Sequence, residues 1–171
     1  MTENRGGLRI GDFTSRLLRA HLYAGCSAWL RGLPLVTIED LLVGLRHFMG
    51  RRMFRYFKTR SAVEELIVKT CPEVIKPRRV IEAVLKSRPH TKESPNAFFF
   101  VPLRQTGELA LIWQLALNIA RSRLNSQADL DDMMEALARS DWASEALGKH
   151  GIHFQDPESV RRSARRWWWW F

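Results

Sequence analysis

The stretch "RHFMGRRMFRYFKTR" (46–60) carries the densest chemistry in the chain. It sets Arg46, Arg51, Arg52, Arg55, Lys58 and Arg60 among Phe48, Phe54, Tyr56 and Phe57, and it holds no acid. Cationic side chains neutralise phosphates, and aromatic rings that reach solvent stack on bases. The same mixture suits an anionic membrane surface or an acidic protein partner. A plain structural reading stands beside these: the rings pack inward and the cations are merely solvated. A second basic run, "RRSARRWWWWF" (161–171), places Arg161, Arg162, Arg165 and Arg166 before Trp167, Trp168, Trp169 and Trp170. Tryptophan behind arginine is the usual composition of a membrane interface. The tail therefore reads as an interfacial anchor or partner-docking element, as the approach to a transmembrane helix, or as a strip that partly seals the core. Helical spacing from Pro157 puts Val160, Ala164, Trp167 or Trp168, and Phe171 on one stripe, with Trp169 and Trp170 pointing elsewhere.

These two runs account for the charge of the molecule. The chain has 171 residues and a net charge of +9, but without the ten cations of 46–60 and 161–166 it holds 17 basic against 18 acidic residues. An electrostatic partner meets one or both patches and little else. The 46% hydrophobic content suits a packed core, not a disordered chain. No signal peptide opens the sequence, and no apolar run approaches the length of a membrane span, which points to a cytoplasmic setting with membrane association through the tail as an option.

Catalytic frames are missing from the sequence. There is no nucleophile elbow, no HExxH, no recognisable pair of catalytic carboxylates and no P-loop. Five histidines and two cysteines lack metal-ligand spacing, so no metal and no cofactor is expected. Cys26 lies among small residues within a helix pattern and reads as a buried, inert thiol, and Cys26 and Cys71 read as reduced.

A duplicated helical unit must position these groups. At an offset of 92, residues 13–45 align without a gap on 105–137: Leu17 falls on Leu109, Ala24 and Ala28 on Ala116 and Ala120, Arg31 on Arg123, Asp40 on Asp132. "RLLRAHLYAGCSAWLR" and "GELALIWQLALNIARSR" read as amphipathic helices, the second with Leu109, Ile112, Trp113, Ala116, Ile119 and Ala120 on one stripe. Thr37 and Asp129 are matching N-caps, each followed three residues on by an aspartate, and open second helices over about 38–48 and 130–139. Ser61 and Glu64 form the pattern of a capping box for a third helix, whose counterpart opens at Ser140 and closes near Gly151. The offset then falls to 80, with Pro77 on Pro157 and Val80 on Val160, each proline in the first turn of a fourth helix. The expected fold is all-α: two tandem four-helix repeats, 8–87 and 99–171, joined by a loop over 88–98 and packed about a pseudo-two-fold axis through their alanine-rich faces. The change of offset leaves twelve extra residues in the first copy, between Leu45 and Ser61, and these read as an addition that the unit does not need in order to fold.

With its helix starts "VTIEDLLVGL" (36–45) and "ADLDDMMEAL" (128–137), and "ASEALGKHGI" (143–152) as a third helix with its following Gly-Ile, the chain resembles the Clp N-terminal domain over roughly 10–160. That domain is the double repeat preceding the ATPase rings of Clp-type protein unfoldases. The chain departs from the pattern in having Asp40 and Asp132 where a histidine is expected, Asp131 for the second glutamate, and the insertion and tryptophan tail as extras. The resemblance implies a non-enzymatic module, free-standing or part of a longer protein. It implies protein partners: a Clp-type ATPase, an adaptor or a substrate. It also implies a binding role for the motif acids Glu39 and Asp131, with Asp40 and Asp132 beside them, since some members bind phosphorylated arginine there. Carboxylates suit a guanidinium fork. Equally, Glu39 and Asp131 fall where acidic side chains stabilise the positive end of a helix. A nucleic-acid-binding helical module using 46–60, and the soluble head of a membrane-tethered protein, are the competing readings.

Overall fold

Threonine opens the first helix of each copy. Thr14 and Thr106 are N-caps whose side chains accept hydrogen bonds from the amides of Leu17 and Leu109, and α1 (Ser15–Leu30) and α5 (Gly107–Ser122) follow. The computed structural model describes residues 8–87 and 105–167, with side chains as far as Lys86 and Ser163. The linker 88–98, the first residues of the second copy and Trp168, Trp169 and Trp170 lie outside the described residues. Each first helix ends in a left-handed residue, Gly32 (φ 71°) in one copy and Leu124 (φ 62°) in the other, again 92 positions apart. Glycine adopts this conformation without a steric penalty, whereas leucine does not.

A capped second helix comes next, α2 (Ile38–Met49) and α6 (Leu130–Arg139), then α3 (Arg60–Thr70) and α7 (Asp141–Gly148), then α4 (Pro77–Ser87) and α8 (Pro157–Trp167). Two 3₁₀ pieces, Ile10–Asp12 and Gly50–Tyr56, complete the order. Among the described residues there is no β-strand, so the all-α expectation holds. The prolines start the fourth helices as expected, and Asp156 caps α8 by accepting from the Ser159 amide at 3.0 Å. The expected capping box at Ser61 and Glu64 does not form. Helix α3 starts two residues earlier, at Arg60 after Thr59, which makes no side-chain cap bond, and Glu64 instead accepts from Arg60 at 2.8 Å, one turn back.

The alanines bring helices together within each copy. Helix α1 packs along α2, and α5 along α6. Ala20, Ala24, Ala28, Ala116 and Ala120 are fully buried. At Gly44 of α2 an added Cβ would sit 2.1 Å from the carbonyl oxygen of Ala20 and 3.3 Å from the amide nitrogen of Ala24. The expectation that the alanine-rich faces join the two copies is thus corrected: small residues are used up where backbone meets backbone inside a repeat.

Other residues join the copies, and they do so symmetrically. Phe13 bridges Ala128, and Gln105 bridges Val36, so each partner is replaced by its 92-offset equivalent in the other pair. His21 and Trp113, themselves equivalents, meet edge to face at 4.9 Å. A residue that touches its own counterpart lies beside the symmetry axis. The two copies therefore pack about a pseudo-two-fold, with one large core running through both.

The insertion is part of that core. Met53, Phe54, Tyr56 and Phe57 are buried in it. The segment after the 3₁₀ turn pairs with the chain just before α8: the Lys58 amide donates to the carbonyl of His153 (2.9 Å), the Gln155 amide to that of Tyr56 (2.8 Å), and Phe57 stacks on Phe154 at 4.9 Å. The reading of 46–60 as dispensable for folding is corrected, because these residues brace the first copy to the second. The fourth helices differ accordingly. Val80 of α4 joins a small satellite core with Tyr23, Cys26, Val43, Ile75 and Val84, while Val160 of α8 enters the main core and α8 packs on α6 and the 3₁₀ turn.

Gly44→Ala is expected to cost about 1–3 kcal/mol, because the obstructing atoms are backbone and cannot rotate away. Gly11→Ala, where an added Cβ meets nothing within 4 Å, is the control and should stay within about 0.5 kcal/mol of the parent. Chemical denaturation midpoints at constant slope check the pair. Equal losses would mean that α1 and α2 are not in backbone contact.

Candidate functional site

At each second helix the two adjacent acids part company. Asp40 is fully buried. Its Oδ1 accepts from Ser27 Oγ (2.7 Å) and Arg31 Nη1 (3.0 Å), and its Oδ2 from the Thr37 amide (3.2 Å) and hydroxyl (2.9 Å). Asp132 repeats the plan, taking Arg123 Nη1 at 2.7 Å and the Asp129 amide at 3.0 Å. Burial raises the carboxyl of Asp132 above its ordinary range, opposed by the Asp129 amide and by Arg123. Asp40 and Asp132 are therefore not the ligand-facing groups expected. They cap their own helices and clamp them to the arginine that ends the preceding one.

Glu39 and Asp131, one residue earlier, stay at the surface and reach toward the other copy. Glu39 Oε1 lies 3.6 Å from His150 Nε2, in the turn after α7. Asp131 is occupied from the insertion: Arg52 Nη2 donates at 2.7 Å and the Tyr56 hydroxyl at 2.7 Å. Burial, and then the charge of Asp131, push the Tyr56 hydroxyl far up, so it remains a donor. Both members of the Arg52–Asp131 pair are more than two-fifths exposed, so the pair itself contributes little stability. The two equivalent positions thus differ. One acid is held by an internal guanidinium and a phenol, and the other, its side chain one-quarter exposed, is paired among the described residues with His150 and with no arginine. His150 was not picked out from sequence, since nothing local marks it; only the crossing of the copies brings it to Glu39.

The basic stretch is divided in the same way. Arg51, Arg52, Arg55, Lys58 and Arg60 are exposed, Arg46 is half-buried, and Phe54 and Tyr56 lie inside. Arg46 and Arg60 lie over the Phe54 ring at 5.0 and 4.7 Å, and Arg60 also pairs with Glu64. The expected stacking surface of Phe54 and Tyr56 does not form, because their rings are buried in the common core, Tyr56 reaching Asp131 of the second copy.

On α8, Arg161 is not a free tail residue. It donates to Glu135, a buried carboxylate of α6 that also accepts from Arg139 (2.7 Å) and Arg123. Arg123 thereby links Asp132 and Glu135. Glu135 went unread from sequence, although its i,i+4 spacing to Arg139 is the kind of signal that marks such a pair. Arg162 is exposed and lies 3.5 Å from Glu158. The side chains of Arg165, Arg166 and Trp167 lie outside the described residues. Among the described residues no group of three or more His, Cys, Asp or Glu is arranged to hold a metal ion. Cys26 is buried, and burial pushes its thiol up to about 11.

With this arrangement established, comparison places the fold. The chain is similar to the crystal structure of the N-terminal domain of ClpD, a caseinolytic protease associated chaperone from Arabidopsis thaliana, with a TM-score of 0.54 and 14% identity, over 94% of this chain and 97% of that one. The all-α double repeat is therefore a Clp N-domain-like fold. No family model matches the sequence, and no curated protein matches it.

Arg123→Met should destabilise by about 3–5 kcal/mol, since it leaves Asp132 buried with only a backbone amide. Arg31→Met should cost less, about 1–3 kcal/mol, because Ser27 and Thr37 still hold Asp40. Denaturant titration of both variants checks the order, and a reversed order would contradict this account of the clamps.

Proposed function

We propose that the chain is a non-enzymatic protein-binding module that recruits substrates or adaptors to a Clp-type unfoldase or protease, or regulates one, in a cytoplasmic setting. The contact is made at the position of Glu39 and His150, where no guanidinium of the described residues is paired with the acid. The observation that carries this reading is the inequality of two symmetry-related acids. At Asp131 a guanidinium from the chain itself already sits on the carboxylate. At the equivalent Glu39 no arginine of the described residues is paired with the acid, and only His150 stands nearby. Glu39 is thus suited to the guanidinium of a partner protein, and His150, when protonated, to an anionic group carried on it.

The fold likeness supports the same reading, since it spans nearly the whole of both chains and the neighbour is the N-terminal domain of a protease-associated chaperone. Magnitudes agree with recruitment. A single exposed guanidinium–carboxylate contact contributes about 0.2–1 kcal/mol, so binding through this position is weak and reversible unless further contacts add to it. The nucleic-acid reading of 46–60 loses its base-stacking component, because Phe54, Tyr56 and Phe57 are buried.

Isothermal titration with an arginine-phosphorylated peptide tests the site. The parent chain should bind one peptide. Glu39→Ala should weaken binding by about two- to fivefold, as loss of an exposed charge-assisted contact does. Arg52→Ala should leave Asp131 with only the Tyr56 hydroxyl, so that a peptide guanidinium can take the vacated oxygen and the number of sites rises to two. Unchanged affinity in Glu39→Ala would overturn the ligand role. Affinity capture from the native host tests the partner class: a Clp-type ATPase or protease subunit supports recruitment, and ribosomal or DNA-bound hits alone count against it.

A further inference from the structure

Beside the end of α2, helix α1 presents a stripe of two cations and a ring. Arg16, Arg19 and Tyr23 follow one another at helical spacing and share one face of α1. Contacts at both ends of the stripe fix it against α2. Arg16 Nη2 donates to the carbonyl of Phe48 at 3.3 Å, and Tyr23 stacks on His47 with centroids 4.2 Å apart and planes 13° from parallel. Phe48 meets the His47 ring edge-on at 5.0 Å. Arg19 lies between these two contacts, so both guanidiniums and the imidazole belong to one surface. Arg16, Arg19 and His47 are exposed, and Tyr23 is buried beneath them. Nearby acids are engaged elsewhere: Asp12 with the Arg9 amide and Arg121, Asp40 with Arg31, and Glu64 with Arg60. Among the described residues neither Arg16 nor Arg19 is paired with an acid. One N–H of Arg16 caps the negative end of α2, whereas Arg19 and the open imidazole have no such duty. The bundle does not need these groups in order to fold: in the second copy the equivalents of Arg16, Arg19 and Tyr23 are Glu108, Leu111 and Leu115.

We propose that this face binds single-stranded nucleic acid. Such binding goes beyond the recruitment reading and does not depend on it. The guanidiniums suit backbone phosphates, which arginine engages through paired N–H groups. His47 supplies the second element. Tyr23 covers one face of its ring and Phe48 one edge, and the side chain is exposed, so the opposite face is open to solvent. An unpaired base can extend the stack there, on a histidine already held flat by the ring behind it. An acidic peptide or a lipid headgroup would use the guanidiniums alone. A duplex keeps its bases stacked within itself, so the bare ring favours a single strand. None of Phe54, Tyr56 and Phe57 takes part, since their burial removes them from stacking.

Fluorescence anisotropy of the full chain with a labelled oligouridylate about ten nucleotides long tests this. Arg16→Gln with Arg19→Gln should weaken binding by about tenfold or more and reduce the salt slope by about 1.4, the share of two phosphate contacts on a single strand. His47→Ala should weaken binding by about fivefold or more, and His47→Phe should restore it, because a phenyl ring stacks as the imidazole does. The double variant Arg51→Gln, Arg55→Gln removes the same charge from the 3₁₀ turn and should change affinity by less than about twofold, if the contact is at α1 and α2. His47 and Arg19 are exposed and make no hydrogen bond among the described residues, so His47→Ala and Arg19→Gln leave the fold intact and report on binding alone. No binding, equal or tighter binding of the same strand annealed to oligoadenylate, an unchanged His47→Ala variant, or an equal loss in the Arg51 and Arg55 variant would each overturn the proposal. Polyglutamate that displaces the label as well as unlabelled oligouridylate does would also overturn it, and would assign the face to acidic peptides.

Discussion

The rest of the molecule depends on a carboxylate placed where water cannot reach it. Asp40 and Asp132 each lie three residues beyond an N-cap, and each is gripped by an arginine at the end of the helix before, Arg31 and Arg123. A buried carboxylate without partners would cost several kcal/mol, so the pair forms only when helix, turn and cap are all in register. This requirement fixes the angle between the first and second helices of each copy. It also fixes the rotation of the second helix, which in turn decides where its neighbouring acid points. With Asp40 and Asp132 turned inward, Glu39 and Asp131 have to face the other copy. The surface chemistry is a consequence of the buried chemistry one residue along.

Duplication makes two such positions, and the insertion makes them unequal. The main-chain bridges Phe13–Ala128 and Gln105–Val36 obey the pseudo-two-fold, and His21 meets Trp113 beside its axis. The 3₁₀ turn Gly50–Tyr56 has no counterpart. It supplies Arg52 and Tyr56 to Asp131, buries Met53 and Phe54 in the common core, and leaves Arg51 and Arg55 exposed. One local addition thus engages one acidic position and strengthens the join. The satellite core under α4 and the arginine cluster around Glu135 under α8 are the two different ways in which the copies finish.

The parts legible in sequence were those set by local backbone chemistry. The offset of 92 located both first helices and both threonine or aspartate caps, because each depends on local spacing, but it aligned Arg31 with Arg123 and Asp40 with Asp132 without pairing arginine with aspartate. The prolines located the fourth helices for the same reason. What went unread depends on tertiary contacts. Ser61 and Glu64 carry the letters of a capping box, but Thr59 precedes the helix and Arg60 takes the glutamate. The alanines were assigned to the wrong interface, since a small-residue stripe shows that a backbone comes close without showing which one. Phe54 and Tyr56 look alike whether they pack or stack. His150 and Glu135 acquire their roles only from residues of other elements.

The central claim is that two capped, arginine-clamped copies form one cooperative body, joined by the insertion. Native-state hydrogen exchange tests it most directly. The account predicts that the slowest amides of α1, α2, α5 and α6 open with one common free energy, equal to the global stability of the chain. Exchange of α5 and α6 through an opening clearly cheaper than that of α1 and α2 would contradict it, because the copies would then be separate units resting side by side.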